Sequence, residues 1–320
     1  MEPTETLSAR VPPGSDVRRA SNPHDPEQDL EPDSAPLRRF RDADDYRARR
    51  EWLRYEGTAQ RDLYRELRER FLLRHAVEEG WVLDLGSGPG RFLPFMGRVG
   101  ARRVALDISR TMLTLLPGAY LSAQGPGPVP DRVVGNGAHP PFERGRWAEV
   151  VVLGNTLGFA GADADRLLDE AERLVAPGGT LLVEIAPAPG ERSSYLARLP
   201  PSAVARLLHS PIRAVLGRLD REGFRKELPR HRTPRTFRRF SAVELHERWQ
   251  AHGWTVVETV AVAPTLGPDP ERIEAVHRNP KSWSRLLELE EEVGRRPERW
   301  PLAAAVLVAA LQPSSMRMIK

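Results

Sequence analysis

Glycine and aspartate residues in one short stretch have the types and spacing needed to bind a nucleotide-like ligand. Gly86, Gly88 and Gly90 occupy alternate positions directly after a short apolar run. Glycine lets the backbone turn sharply and lets a ligand approach the main chain closely. Asp107 follows about twenty residues after the turn, where its carboxylate can accept hydrogen bonds from ribose hydroxyl groups. The pattern predicts a nucleotide-binding turn.

The elements that position these residues can be read from the surrounding sequence. The apolar residues Val82, Leu83 and Leu85 indicate a buried strand that leads into the glycine turn. A helix is expected from about Arg91 to Val99, and a second strand over 102–109 carries Asp107 near its end. A strand, a glycine turn, a helix and a strand ending in an acid form the first half of a doubly wound α/β fold.

The glycine spacing separates two classes of cofactor. A dinucleotide-binding turn has the pattern G-x-G-x-x-G. Here the third glycine comes one residue early, at Gly90, and Arg91 stands where that pattern needs a glycine. The turn therefore departs from the dinucleotide pattern.

The stretch DLGSGPG, residues 84–90, resembles the first motif of the class I S-adenosylmethionine-dependent methyltransferases. In that family an acid precedes a G-x-G-x-G turn by two residues. The resemblance assigns Asp84 to the region of the cofactor's amino-acid moiety. It also places Gly86, Ser87, Gly88 and Gly90 in the turn that approaches the cofactor.

Two further segments extend the resemblance to the nucleoside part of the cofactor. The stretch VALDIS ends in Asp107, which the family uses on the ribose, and Ile108, which is placed to pack on the adenine. The stretch VVGNGAHPPF, residues 133–142, is similar to a Gly-Asp-Ala-x-x-Leu-Pro-Phe segment of the family, but Asn136 stands in the place of the acid. An Asn side-chain oxygen can also accept a hydrogen bond from the adenine amine. The Gly137 amide is expected to face an adenine ring nitrogen.

Two more segments complete the resemblance. AEVVVLGNTLGF, residues 148–159, resembles the family's fourth strand, whose end lines the methyl-transfer site and here carries Asn155. APGGTLLVEIAP, residues 176–187, matches the Pro-Gly-Gly turn and fifth strand. The resemblance implies an α/β, doubly wound, seven-stranded and mostly parallel sheet with helices on both faces. It also implies that the last strand, 301–311, runs antiparallel between the fifth strand and the sixth, 254–262.

The rest of the chain is divided by changes in composition and periodicity. The N-terminal part lacks a sustained apolar period and predicts disorder. Ser241 and Glu244 have the spacing of a capping box that begins a later helix. We expect five parts: a disordered tail at 1–36, an N-terminal helical cap at 37–80, the methyl-donor-binding core at 81–189, a basic helical insertion at 190–240, and the C-terminal part of the core at 241–312 with a helical insertion at 264–301.

The composition restricts the class of protein. The 320 residues include no cysteine, which excludes disulfides and thiolate catalysis. The formal net charge is +4. Because the histidines are scattered along the sequence, no metal site is expected. Since no run has the roughly 18 apolar residues of a membrane span, we expect a soluble, cytoplasmic protein.

The sequence does not identify a residue that must act as a general base. Methyl transfer from a sulfonium is an in-line displacement that depends mainly on proximity and alignment. His139, Asn155, Tyr46, Tyr55 and Glu184 are the polar residues expected near the carboxyl ends of the strands. The stretch HPPF, 139–142, is similar to a motif of enzymes that methylate amines, but it lies in a turn where that motif would close a strand.

Three functions remain open. The first is an S-adenosylmethionine-dependent methyltransferase with a small-molecule or lipid-like acceptor, suggested by the Gly-Asn-Thr-Leu-Gly run after the fourth strand. The second is an RNA methyltransferase, suggested by the arginine-rich segment 206–239, because arginine binds phosphate bidentately. The third is a regulatory protein that binds S-adenosylmethionine without turnover, suggested by Asn136 and the lack of an evident base.

Overall fold

The computed structural model describes residue 51 and the ranges 57–186, 192–194, 199–222, 224–226, 238–265, 270–303 and 305–314. The predicted tail at 1–36 lies outside these residues. So do Tyr46, Tyr55 and several arginines of the basic insertion.

A seven-stranded sheet forms the centre of the molecule, and a separate pair of short antiparallel strands lies in the basic insertion. In chain order the strands are β1 Glu79–Leu85, β2 Gly100–Asp107, β3 Asp131–Val134, β4 Trp147–Val152, β5 Val175–Ile185, β6 Arg192–Ser194, β7 Phe224–Lys226, β8 Thr255–Val262 and β9 Ala305–Leu311.

The order of strands across the large sheet is β3-β2-β1-β4-β5-β9-β8. Strands β1 to β5 pair in parallel, whereas β9 is antiparallel to both β5 and β8. Central strands are apolar along most of their length because both faces of the sheet are covered. The predicted fold class, including the position and direction of the last strand, is confirmed.

Helices cover both faces of this sheet. They are α1 Ala59–His75, α2 Arg110–Ser122, α3 Thr156–Ala160, α4 Ala164–Leu174, α5 Pro201–Leu208, α6 Ile212–Glu222, α7 Ala242–Ala251, α8 Pro270–His277 and α9 Pro280–Gly294. Alternate residues of each strand point to opposite faces. Leu83 and Val150 accordingly belong to a cluster with α4 and α7, whereas Val82 and Val151 belong to a cluster with α1 and α2.

Five helices form one layer on the face of the sheet that carries Val82 and Val151. They are α1, α5, α6, α8 and α9, and they come from three separate parts of the sequence. Their buried residues, such as Leu67, Leu207, Ile273 and Leu286, lie in one continuous apolar cluster with the sheet. α8 packs on α5, α1 and α9, and α9 packs on β8. We call this group the five-helix layer. Both insertions contribute to it.

Local signals explain where some elements begin and end. The predicted capping box is present at the start of α7, with Ser241 Oγ accepting from the Glu244 N–H and the Glu244 carboxylate accepting from the Ser241 N–H. The helix predicted from Arg91 to Val99 is wrong, because the structure has only a short 3-10 turn at Leu93–Phe95. Pro94 lacks an N–H for an α-helical bond, and Gly97 adopts a φ of +63° that ends the turn.

Within the ranges described above, every helix is too short or too polar to cross a lipid bilayer.

Candidate functional site

A cleft opens where the carboxyl ends of β1, β2 and β4 meet. Ligands bind at this edge of open parallel sheets. Eight of the ten residues predicted to bind the cofactor line the cleft: Asp84, Gly86, Ser87, Gly88, Asp107, Ile108, Asn136 and Gly137.

The glycine turn forms one wall of the cleft. The N–H groups of Gly86 and Ser87 both donate to the Leu106 carbonyl, at 2.8 and 3.0 Å, which ties the turn to β2. Gly86 has a φ of +81°, and a Cβ there would lie 2.4 Å from Thr156 Cγ2. Glycine is therefore required at this position both by its backbone conformation and by the close approach of the segment after β4.

Asp107 lies at the end of β2 and holds the turn in place. One carboxylate oxygen accepts from the Gly88 N–H at 2.7 Å and the other from the Ser109 N–H at 2.8 Å. Burial raises the pKa of this carboxyl to about 6, and the negative charge of Glu51 adds to the rise, whereas the two backbone hydrogen bonds oppose it. Asp107 is thus ionised at neutral pH and titrates under mildly acidic conditions.

Asp84 lies beside Asp107 at the end of β1 and is only 4% exposed. Its carboxylate lines the cleft, yet it has no hydrogen-bond donor within the described part of the chain. Burial raises the pKa of this carboxyl well above its usual value, and the charges of Asp107 and Glu149 raise it further. A buried carboxylate without a donor favours a cationic or hydrogen-bond-donating ligand.

The segment after β3 forms another wall. Asn136 is buried, and its side-chain oxygen accepts from the Ala138 N–H at 2.9 Å. The backbone interaction identifies which atom of the amide is the oxygen. A Cβ on Gly137 would lie 3.3 Å from Leu167 and 3.4 Å from Leu85, so this segment packs closely against the sheet and α4.

The loop that joins β4 to α3 forms the remaining wall, with Leu153, Gly154 and Thr156 lining the cleft. Two consecutive residues are left-handed, Gly154 with φ +67° and Asn155 with φ +63°. Thr156 Oγ1 donates to the Leu153 carbonyl at 2.6 Å and closes the loop. We call residues 153–156 the β4 loop.

Two predicted residues do not line the cleft. Gly90 packs against α2, where a Cβ would lie 2.6 Å from Leu116 Cγ. The Asn155 side chain lies over Gly158, where a Cβ would approach Asn155 Oδ1 to 2.5 Å. Their positions give both residues a structural role in turns beside the cleft.

Two of the polar residues expected near the strand ends also lie outside the cleft lining. Glu184, at the end of β5, is buried and accepts two hydrogen bonds from Arg68 on α1. The His139 N–H donates to the Asn136 carbonyl within the turn after β3. For the residues that the structure describes, no group of three or more His, Asp or Glu side chains could hold a metal ion.

The sequence interpretation missed several residues that line the cleft. Arg91 and Phe92 directly follow the glycine turn, and Thr156 and Phe159 belong to the segment that resembles the fourth strand, so their positions were available as a signal. Glu51 precedes α1 by several residues and had no such signal, because only the folded chain brings it to the cleft.

A family model matches the part of the chain that surrounds the cleft. Residues 83–183 match a family model described as a methyltransferase domain. Counted within the large sheet alone, the strand order is 3-2-1-4-5-7-6. No curated protein matches the sequence significantly.

Several solved structures are similar at low identity. A Haloferax volcanii chain from a complex with the Trm112 methyltransferase activator is 21% identical, covering 87% of this chain and 99% of that one, with a TM-score of 0.49. Magnesium protoporphyrin IX methyltransferase from Synechocystis PCC 6803 is 11% identical, covering 86% and 97%, with a TM-score of 0.48. Geranyl diphosphate C-methyltransferase from Streptomyces coelicolor A3(2) is 14% identical, covering 78% and 79%, with a TM-score of 0.44.

The family match covers the strands and turns that surround the cleft, and the methyl donor of this family is S-adenosylmethionine. Together with the strand order, the match shows that residues 83–183 form a class I S-adenosylmethionine-dependent methyltransferase domain.

Proposed function

We propose that this chain transfers the methyl group of S-adenosylmethionine to a small-molecule or lipid-like acceptor. The observation that carries the donor site is the convergence of Asp84, Asp107 and the glycine turn on one cleft. The proposal for the acceptor is supported by two apolar side chains that line the cleft, Leu153 in the β4 loop and Phe159 on α3.

Asp84 and Asp107 have different roles in this proposal. Asp84 binds the ammonium group of the donor, which supplies the missing hydrogen-bond donor and a positive charge. Asp107 binds the ribose hydroxyl groups. A carboxylate has about four lone-pair sites, so the two backbone N–H bonds leave two for the ribose.

The adenine is proposed to lie between Ile108 and the segment after β3. Met112 and Leu167 also line the cleft and add apolar surface. Asn136, whose side-chain oxygen is oriented by the Ala138 N–H, is the proposed acceptor for the adenine amine. The Gly137 N–H is the proposed donor to an adenine ring nitrogen.

The protein's contribution to the chemical step is alignment. S-adenosylmethionine supplies a methyl group that is already activated as a sulfonium, so the cleft has to hold the acceptor in line with it. Well-aligned reactants gain on the order of 7 to 11 kcal/mol over free ones. The β4 loop, with its two left-handed residues, is the wall that would set this alignment.

Binding of S-adenosylhomocysteine, measured by isothermal titration calorimetry, tests the donor site. We expect saturable binding by the wild type and at least a tenfold weaker affinity after Asp107→Ala, because hydrogen bonds to a charged group contribute about 1.5 to 3 kcal/mol. Wild-type binding that is absent at millimolar ligand, or unchanged in the variant, would refute the assignment.

The acceptor is identified by incubating the protein with methyl-labelled donor and a host extract separated into small molecules, lipids, RNA and protein. We expect label in the small-molecule or lipid fraction. Label only in RNA or protein would refute the proposed acceptor class, and no label in any fraction would favour a donor-binding regulatory protein.

RNA is the second candidate acceptor, on the basis of exposed arginines in the basic insertion. Arg206 on α5 and Arg213 and Arg218 on α6 are exposed and have no ion-pair partner within the described part of the chain. By contrast, Arg238 is paired with Asp165 and Glu244. An RNA-binding role requires affinity that falls steeply with salt, and replacing all three arginines with Gln should reduce that salt dependence.

A further inference from the structure

The β4 loop contains two consecutive residues in the left-handed conformation. Asn155 is left-handed, which costs a residue with a side chain on the order of 1 to 2 kcal/mol, although Asn tolerates it better than most. Gly154 is also left-handed, and a Cβ on it would meet no atom within 4 Å. Glycine is therefore needed at Gly154 for its backbone conformation, and the cost at Asn155 is offset by contacts from elsewhere in the chain.

One such contact comes from the end of β5. The Gly154 N–H donates to Glu184 Oε2 at 3.1 Å. The same carboxylate accepts from Arg68 Nε at 2.9 Å and from Arg68 Nη2 at 2.7 Å. Arg68 Nη1 in turn donates to the Tyr64 carbonyl at 2.7 Å, so the guanidinium is fixed to its own helix.

This ion pair lies in the interior, since the side chains of Arg68 and Glu184 are 5% and 4% exposed. A buried ion pair adds little to stability because removing both charges from water offsets their attraction. Its definite effect is geometric. The planar guanidinium allows one orientation of the carboxylate, and that orientation directs Oε2 at Gly154.

The β4 loop is in contact with the donor-binding turn. Thr156 lies against Gly86, with Thr156 Oγ1 3.4 Å from the Gly86 carbonyl oxygen. Leu153, Gly154 and Thr156 also line the cleft themselves. A shift of the Gly154 backbone would therefore change the cleft wall directly and disturb the turn through Thr156.

The geometry points to Glu184 as a positioning residue for methyl transfer: held by Arg68, its carboxylate fixes the Gly154 N–H and so the β4 loop between donor and acceptor. Glu184 does not line the cleft and acts only through the loop. This inference rests on the proposed function, because only a methyltransferase needs the β4 loop to align the donor with the acceptor. It also gives α1, which lies outside the matched methyltransferase domain, a role in shaping the site.

The test needs a variant that removes the acceptor for Gly154 without leaving a charge buried alone. The double variant Arg68→Met with Glu184→Leu replaces the ion pair by apolar side chains of similar size, a change that often leaves stability intact. We expect its Tm to stay within about 3 °C of the wild type. We also expect it to bind S-adenosylhomocysteine about tenfold more weakly, because binding then has to order the β4 loop, at a cost of about the size of the lost Gly154–Glu184 hydrogen bond.

A second measurement and a second variant keep the test decisive if the double variant folds poorly. Amide hydrogen exchange across 153–160 should be faster in the variants than in the wild type, while exchange in β1 and β2 stays the same. Glu184→Gln, which keeps the length of the side chain, should show a smaller change in the same direction. One of the two carboxylate oxygens is replaced by an NH2 group, which cannot accept a hydrogen bond and faces an N–H of Arg68 or Gly154.

Glu258 provides a matched control. It is a partly buried glutamate on β8 that pairs with Arg74, His75 and Arg295, away from the cleft. Glu258→Gln should lower the Tm without changing S-adenosylhomocysteine affinity or exchange across 153–160. A merely structural role for Glu184 would make its variants behave in the same way as this control.

The outcomes separate the two proposals. If the wild type binds no S-adenosylhomocysteine, the proposed function fails. If the wild type binds and the Glu184 variants bind equally well with unchanged exchange across 153–160, the positioning role alone is overturned.

Discussion

Donor binding should weaken as the pH falls below 6, because only the ionised Asp107 can accept hydrogen bonds from both the backbone and the ribose. The pKa of Asp107 is about 6 in the free protein. At pH 7 about ten in eleven of these carboxyls are ionised, and at pH 5 about one in eleven. The dissociation constant for S-adenosylhomocysteine should therefore rise about tenfold between pH 7 and pH 5, through linkage of binding to this proton.

Calorimetric titrations at several pH values between 5 and 7 measure this change. The ammonium and carboxylate groups of the ligand keep their charges in that range, so the dependence reports on the protein. Asp107→Asn is the matched variant. It should bind weakly at every pH without the tenfold change, because its NH2 group faces an N–H of Gly88 or Ser109.

Asp84 is the other carboxyl that could produce a pH dependence, and a truncated ligand distinguishes the two. 5′-Methylthioadenosine retains the ribose and adenine but lacks the amino-acid group. If Asp107 is responsible, the affinity for 5′-methylthioadenosine should show the same tenfold change between pH 7 and pH 5. A dependence that is absent in the wild type, or that disappears with the truncated ligand, would refute the assignment to Asp107.

Three further changes test the fold around the site. Burial raises the pKa of Glu149 from 4.5 to about 7, so its contribution to stability is complete below pH 4.5 and lost as the pH rises through 7. In urea unfolding, Glu149→Gln should be more stable than the wild type at pH 8.5, by up to about 3 kcal/mol, but not at pH 5. The same difference in stability at both pH values would contradict this pKa. Gly86→Ala should abolish donor binding and cost about 2 to 5 kcal/mol, since it combines a left-handed alanine with a clash at Thr156. Gly88→Ala, which meets no atom within 4 Å, is the control and should cost only about 1 to 2 kcal/mol; equal losses would count against the steric argument. Ser241→Ala removes a capping box and should lower the free energy of unfolding by about 1 kcal/mol, whereas no change would show that this cap is not stabilising.

The sheet was predictable because its strands carry their own signals. Strands β1, β4 and β5 each contain a short run of buried apolar residues close to the turn that follows, a pattern typical of parallel strands buried on both faces. The positions of Asp84, Asp107 and Asn136 followed from these strands, since each lies at or just after a carboxyl end. Eight predicted residues consequently line one cleft.

The features that were missed depend on contacts between distant residues. Arg68 has an ordinary helical position in the sequence, and only folding brings it to Glu184, 116 residues away. The strand–turn–helix pattern predicts a helix after Gly90, although Pro94 and Gly97 restrict this segment to a short turn. The joining of both insertions with α1 into one layer likewise has no local signal.

The five-helix layer also has a consequence for the order in which the chain can fold. α1 is bonded to elements near the other end of the protein: the Ala59 N–H donates to Glu274, 215 residues later, and Trp283 donates to Glu66 across 217 residues. Closing such long loops is slow because its entropic cost precedes the gain from packing. During synthesis, α1 remains without these partners until most of the chain has left the ribosome. The Arg68–Glu184 contact can form earlier in synthesis. However, α1 packs completely only after α8 and α9 have been made, and the cleft wall that it supports through Arg68 is fixed only then.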